Sequence, residues 1–376
     1  RYIAVTGVQT CALPIYLIRI IIVVFLTLLL CNGCKQSTYK IIPPHSHFLK
    51  YEGRIDTSAQ DVASFFWPGT TVRLKFEGTS VEAIMNDTKG ETFFNVIIDG
   101  KPVGYIRPDT TKKPIELGDL SYGVHTVELF RRTEFTTGTT NFYGFKIGHD
   151  AEILPMQKHK HKFVFYGNSV TTGYANEDYS GQDRPDSIFT NNYMSYAAIT
   201  ARHYNADYHC IARGGVGFMV SWYQQIMPEL FNRLNPNDAH SLWNFNHAND
   251  ALVIVNLGQN DSWILENPQM DAYQYKFGDS LIQSEHIIIH YKKFIQNLRA
   301  HYPVSPIICT LGSMDAVAPG SPWPGYIRKA AEALNDEHVY VHFFEYLGPD
   351  GHPRVEDHKK MAASLIQFIE NQNLLR

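Results

Sequence analysis

Cysteine is scarce, at five in 376 residues. Three of the five (Cys11, Cys31 and Cys34) fall within the first 34 positions, which leaves Cys210 and Cys309 for the folded part. Each of these two lies inside an apolar, strand-like run, Tyr208–Ala212 and Pro306–Leu311. Two isolated cysteines imply no disulfide framework, and buried free thiols are expected. An excess of charge of either sign is also missing. Lys and Arg number 33 against 37 Asp and Glu, so the net charge is -4 and the pI is near 6.5. That excludes the basic footprint that nucleic acid requires. The stretch Gln157–Lys162, QKHKHK, alternates histidine with lysine. Neighbouring ammonium groups repel a cation, so no metal site and no other cofactor is expected there. Internal repeats and low-complexity tracts are absent. What is present is a core-forming composition, 44% hydrophobic and 19% charged, which excludes global disorder. Aromatics reach 13%, with 22 Tyr and 22 Phe; they suit a sugar-contacting surface and a β-sandwich core equally.

The amino-terminal segment separates from the rest. No methionine precedes Met85, and residues 1–16 read as a sequencing-adapter artefact to be excluded from fold reasoning. Leu17–Leu30, LIRIIIVVFLTLLL, is apolar apart from Arg19. It is shorter than the roughly 20 residues of a spanning helix, so residues 17–34 are expected to be a lipoprotein signal segment. Gly33 directly before Cys34 resembles a bacterial lipoprotein cleavage site, with Cys34 as the lipidated residue; a plain cleaved signal peptide is the alternative. The expected location is therefore outside the bacterial cytoplasm, periplasmic or on the outer cell surface, held by a lipid anchor. Residues 35–50 are polar and interrupted by Pro43 and Pro44, and read as a linker.

Two folded domains are expected. Over 51–150 short runs alternate apolar and polar residues: Val72–Glu77, Ser80–Met85, Phe94–Ile98, Val124–Phe130 and Phe142–Ile147. Asp99-Gly100 is a strong two-residue hairpin signal. Strands at this spacing, with no amphipathic helix between them, predict a β-sandwich of jelly-roll type. Over 160–376 apolar runs alternate with helical stretches. Phe163–Gly167, Tyr208–Ala212, Ala251–Leu257, Pro306–Leu311 and Val339–Phe344 read as strands. Helices are expected near Tyr193–Tyr204, Glu285–His301, Gly325–Leu334 and Val355–Asn371. This alternation predicts a parallel sheet covered on both faces, a three-layer α/β/α domain of flavodoxin-like type.

Four polar segments follow four of those strands: Gly167-Asn168-Ser169, Gly214-Gly215-Val216-Gly217, Gly258-Gln259-Asn260-Asp261 and Asp350-Gly351-His352-Pro353. In a doubly wound sheet they converge on one edge. Acyl transfer needs what they can supply: Ser169 as nucleophile, His352 as general base and then acid, and Asp350 to orient the imidazole. The backbone N–H groups of Ser169 and Gly215 and the side-chain amide of Asn260 would form the oxyanion hole. Each segment also has a plain reading. Gly-Asn-Ser is turn-forming, Gly215 and Gly217 suit a strand-to-helix turn, Asn260 can cap a helix, and Pro353 fits a helix start after a structural histidine. His358 is expected to face solvent. Trp222, Trp263 and Trp323 are either a sugar platform or core.

The set Ser169, Gly215, Asn260 and His352 resembles the SGNH hydrolases, named for those residue types, over most of Phe163–Arg376. The β-rich part sharpens the match. Phe66-Trp67-Pro68-Gly69, Phe76-Glu77-Gly78-Thr79, Ile98-Asp99-Gly100 and Val124–Glu128 resemble the amino-terminal jelly roll of family 2 carbohydrate esterases, the acetyl xylan esterase-like group. The resemblance implies a carbohydrate O-acetyl esterase acting on hemicellulose-type poly- or oligosaccharides at 6-O-acetyl hexoses, with no cofactor and no nucleic-acid partner. Two departures stand out. Asn168 occupies a position that is commonly aspartate, and Asp350 precedes His352 by two residues rather than three. The Asp-x-His-Pro form occurs in family 2 esterases, some of which work with a backbone carbonyl in place of the acid. The same Ser169/His352 chemistry on another small acyl ester, and a non-catalytic glycan-binding protein, are the alternatives.

Overall fold

Two sheets of opposite grammar divide the chain. The structure, a computed structural model, describes residues 38–246, 251–348 and 351–375; the leader segment and Cys34 lie outside the described residues. In chain order the first sheet contains β1 (Tyr39–Ile42), β2 (Lys50–Glu52), β3 (Ile55–Asp56), β4 (Ala63–Phe65) and β5 (Thr71–Asp87). It continues with β6 (Phe94–Ile98), β7 (Lys101–Ile106), β8 (Lys113–Arg131), β9 (Thr140–Gly148) and β10 (Glu152–Leu154). All pairings in it are antiparallel, along the path β3-β4-β9-β5-β8-β6-β7. The long strand β5 buries Val72, Leu74 and Phe76 before an irregular register near Gly78–Glu82, and Val81, Ala83 and Met85 after it. The buried parity switches from even to odd because the irregularity inserts a residue into the alternation. Both halves line the same core, so the sheet doubles over into the two layers of a sandwich. The Asp99-Gly100 hairpin forms as its residues predict, with both φ angles positive (52° and 75°), the backbone that a two-residue primed turn demands.

The linker expected over 35–50 needs correction. Tyr39–Ile42 pairs with β9, and Ile42 and Leu49 are buried in the sandwich core. The strand left little signal because only Ile42 of its four residues is buried and Pro43 and Pro44 interrupt the run directly after it. The basic linker is shorter than it reads as well. His161 and Lys162 begin the next strand, and His159 ties the domains together, its ring bonding Glu52 Oε1 at 2.8 Å and the Asn205 carbonyl at 2.8 Å.

The second sheet is parallel, with strands β11 (His161–Gly167), β12 (Ala206–Ala212), β13 (Ala251–Asn256), β14 (Ile307–Leu311) and β15 (Val339–Phe343) in the order β12-β11-β13-β14-β15. That is the flavodoxin-like order, with its switch point between β11 and β13. Helices follow the strands: α1 (Ser169–Thr172), α2 (Tyr196–His203), α3 (Met227–Leu230), α4 (Gln259–Leu265), α5 (Asp271–Phe277), α6 (Ser284–His301), α7 (Trp323–Glu332) and α8 (Val355–Asn371). Strand β11 shows why the run is apolar on both sides. Val164 and Tyr166 pack into one core with Tyr291 and Phe294 of α6 and Ile327 of α7. Phe163 and Phe165 pack into the other with Ala197 of α2 and Leu365 of α8. Cys210 and Cys309 are buried free thiols in this sheet, and burial pushes both up to about 12.

The sandwich is fused to the α/β domain rather than tethered. Phe66, Trp67 and Phe135 belong to the core shared with α6 and α7, and Trp67 Nε1 donates to the Leu234 carbonyl at 2.9 Å. Buried Arg54 donates to the Arg233 carbonyl at 2.7 Å and to Tyr166 Oη at 3.1 Å.

Candidate active site

The described residues of the four segments come together at the carboxyl edge of the parallel sheet: Ser169 bonds His352, Gly214 lies against Ser169, and Asn260 bonds the Val216 carbonyl. Gly167 ends β11, and the chain turns at once into the four-residue helix α1, which starts at Ser169. Asn168 caps that helix, its Oδ1 accepting the Val170 N–H at 3.1 Å. The residue that departs from the common aspartate therefore does what either acid or amide can do. Ser169 is 8% exposed, and its Oγ donates to His352 Nε2 at 2.8 Å.

Among the described residues, the carboxylate behind the imidazole is Asp183. Its Oδ2 accepts from His352 Nδ1 at 2.8 Å and from the His352 backbone N–H at 3.0 Å, and Arg354 forms an ion pair with Oδ1 at 2.7 Å. Asp350, the residue expected in that position, lies outside the described residues, and Nδ1 already has its partner. Burial pushes the Asp183 carboxyl up, but the hydrogen bonds from the His352 ring and backbone and from Arg354 outweigh it and hold the group at about 2. Gly351 makes the approach possible. At φ +83° a Cβ there would stand 2.7 Å from Asp183 Oδ2, so only glycine leaves room for the carboxylate to reach the backbone and ring of His352 together. The Tyr174 ring packs on the imidazole, centroids 4.9 Å apart.

The candidate oxyanion donors are the backbone N–H groups of Ser169 and Gly215 and the Asn260 amide. No hydrogen bond among the described residues uses the backbone N–H of Ser169 or of Gly215. Asn260 Nδ2 gives one hydrogen to the Val216 carbonyl at 2.9 Å, while its Oδ1 accepts from Trp222 Nε1 at 3.0 Å. An amide nitrogen has a second hydrogen to give. Buried Asp261 organises the loop beside it, accepting the N–H groups of Phe218, Met219 and Val220. Burial pushes its carboxyl up to about 6 against those three bonds.

The sequence left other residues open, and the structure sorts them. Trp222 is half-exposed at the rim of this cleft, Trp323 is core, and Trp263 donates to Asp315 Oδ2. His358, expected in solvent, is buried under Tyr196, whose N–H it accepts at 3.2 Å; their rings lie 6.3 Å apart and nearly parallel. Asp183 was missed because it follows no strand. It sits in a polar loop 169 positions before His352, and no local pattern marks it.

A doubly wound α/β domain with a serine and a histidine bonded at the switch point, backed by a carboxylate, resembles the SGNH hydrolases. Within that class the chain resembles the family 2 carbohydrate esterases in both domains. Residues 51–156 match the family model described as Carbohydrate esterase 2 N-terminal. The cellulase/esterase CelE of Acetivibrio thermocellus is 29% identical over 334 residues, covering 86% of this chain, and the aligned part spans 39% of the length of CelE. An acetylxylan esterase / glucomannan deacetylase of Cellvibrio japonicus is 25% identical over 321 residues, 82% of this chain and 86% of that protein. Among solved structures, a family two carbohydrate esterase from Clostridium thermocellum in complex with cellohexaose superposes with a TM-score of 0.77 at 29% identity. It covers 86% of this chain and 99% of that one.

Proposed function

We propose that this protein is a carbohydrate O-acetyl esterase that removes acetyl groups from hemicellulose-type poly- or oligosaccharides, at 6-O-acetyl hexoses, through an acyl-enzyme. The observation that carries the reading is the 2.8 Å bond from Ser169 Oγ to His352 Nε2, continued at 2.8 Å from His352 Nδ1 to Asp183, in a chain similar to family 2 carbohydrate esterases along both domains. Ser169 Oγ attacks the acetyl carbonyl while its proton passes to His352 Nε2. The carbonyl oxygen becomes an oxyanion facing the N–H groups of Ser169 and Gly215 and the Asn260 amide. Collapse breaks the ester bond, and the sugar oxygen leaves with the proton from His352. Water then repeats the sequence on the acetyl-serine and releases acetate. No step calls for a metal or an organic cofactor. The ionised Asp183 holds the imidazole with Nε2 turned to the serine and stabilises the imidazolium that forms.

The test is hydrolysis of aryl acetate against aryl butyrate, followed by acetylated mannan and xylan. Turnover that prefers acetate and falls by ~10³-fold or more in Ser169→Ala, with unchanged folding, is the expected result. Equal turnover of butyrate would move the reading to another acyl ester. Polysaccharide binding without hydrolysis would replace it with a glycan-binding role. Export and lipid anchoring through Cys34 rest on Leu17–Leu30 and the Gly33-Cys34 junction, and radiolabelled palmitate incorporation that disappears in Cys34→Ala is their check.

A further inference from the structure

The β-sandwich reaches into the α/β domain through one segment, Arg131–Glu134, at the end of β8. Arg131 is fully buried and wraps the segment on itself, donating to the carbonyls of Phe65, Thr133, Glu134 and Gly138 at 2.6–3.0 Å. Arg132 leaves the sandwich and holds the loop that carries Asp183, bonding Glu177 Oε2 at 2.5 Å and the carbonyls of Ile188 and Thr190 at 2.8 and 3.3 Å. Glu134 turns the other way, to the oxyanion side. Its Oε2 accepts the Gly214 N–H at 2.6 Å, and its Oε1 accepts from Thr136 Oγ1 at 2.7 Å. It also stands close to the nucleophile: a Cβ placed on Gly214 would lie 3.5 Å from Glu134 Oε2 and 3.8 Å from Ser169 Cβ.

The next peptide is pinned too. The Gly214 carbonyl accepts from Tyr223 Oη at 3.0 Å, and the Tyr223 ring is held under the Arg213 guanidinium, 3.2 Å from the ring centre. In a trans peptide the N–H points opposite to the C=O. Fixing the Gly214 carbonyl toward Tyr223 therefore fixes the Gly215 N–H toward the far side, where the oxyanion forms. A hydrogen bond to the carbonyl also polarises the same peptide and strengthens its N–H as a donor. We infer that Glu134, supplied by the sandwich, is a positioning residue of the esterase site that, with Tyr223, clamps Gly214 so that the Gly215 N–H meets the oxyanion. The inference rests on the esterase reading above and deepens it: the sandwich domain is part of the catalytic scaffold. Burial raises the Glu134 carboxyl, and the bonds it accepts from the Gly214 N–H and Thr136 Oγ1 oppose that rise.

The experiment compares Glu134→Ala, Glu134→Gln and Tyr223→Phe with the wild type on aryl acetate, reading kcat and KM separately, with melting temperature as the folding control. A mis-aimed donor weakens only the transition state. Glu134→Ala is expected to lower kcat ~10–100-fold with KM within about twofold. Glu134→Gln retains an acceptor for the Gly214 N–H and restores kcat to within about threefold of wild type. Tyr223→Phe leaves the domain junction untouched and lowers kcat ~10-fold, which keeps the test decisive if Glu134→Ala does not fold. Unchanged kcat in folded Glu134→Ala or in Tyr223→Phe overturns the clamp, as does a change confined to KM, which would place Glu134 on the sugar. A wild type without Ser169-dependent turnover overturns the esterase reading and this inference with it. An active wild type beside equally active variants overturns the inference alone.

Discussion

Asp183 is the residue on which the two possible acids separate. Two carboxylates compete on paper for His352 Nδ1, and the bond to Asp183 at 2.8 Å, together with the Arg354 ion pair, places the charge there. Replacing it with Asn keeps the shape but offers the ring a neutral partner that permits the wrong tautomer. We expect Asp183→Asn to lower kcat ~10²–10⁴-fold at neutral pH, and Asp350→Ala to leave it within about threefold, both read by steady-state hydrolysis of aryl acetate. The reverse order would return the role to Asp350. Sequence reasoning reached Ser169 and His352 because each follows a strand-like run or precedes a helix start. It could not reach Asp183, which owes its place to a turn at φ 53° and to the glycine opposite, a tertiary fit that leaves no local periodicity. Glu134 escaped for a related reason. It lies in the other domain, and nothing in Arg131–Glu134 points across the junction.

Among the elements, α1 carries the sharpest expectation. It has four residues, too few to persist without its surroundings, so its cap and the strand before it must hold Ser169. Asn168→Ala removes the acceptor of the Val170 N–H and is expected to cost about 1 kcal/mol of unfolding free energy, with a fall in kcat as the serine loosens. Asn168→Asp restores the cap and should keep both near wild type. Urea unfolding and initial rates on the same preparations check the pair, and full activity in Asn168→Ala would detach the cap from catalysis. The central parallel strands were legible because both their faces are buried, which makes Ala251–Val255 of β13 a continuous apolar run. Two strands of the sandwich were not. β7 exposes nearly every residue and contains Pro102, which an edge strand tolerates, and β1 shows only half of an alternation before Pro43.

Across the whole molecule, the fused core and the polar bonds at the junction make the two domains one unit whose stability responds to buried titrating groups in either part. Two such groups oppose each other. His358 is buried neutral, and desolvation holds it down to about 3 from 6.5. Between those values the unfolded chain binds a proton that the folded chain does not, so this term is fully favourable above pH 6.5 and is lost as pH falls toward 3. Asp261 is raised to about 6 from 3.8. In that window the folded chain binds the extra proton, so its term is present below 3.8 and is lost as pH rises through 6. Going from pH 7 to pH 5, His358 removes on the order of 2 kcal/mol and Asp261 returns on the order of 1 kcal/mol. The pair therefore leaves only a shallow dependence over a range where either alone would give a steep one. His358→Gln deletes the first term and leaves the second. Whatever its absolute stability, the variant should shift by about 2 kcal/mol relative to wild type between the two pH values, gaining on acidification. Chemical denaturation of both proteins at pH 7 and pH 5 reads this as a difference of differences, in which all other titrating groups cancel. Equal pH slopes would show that His358 exchanges its proton with solvent in the folded state, and that the packing under Tyr196 does not seal it.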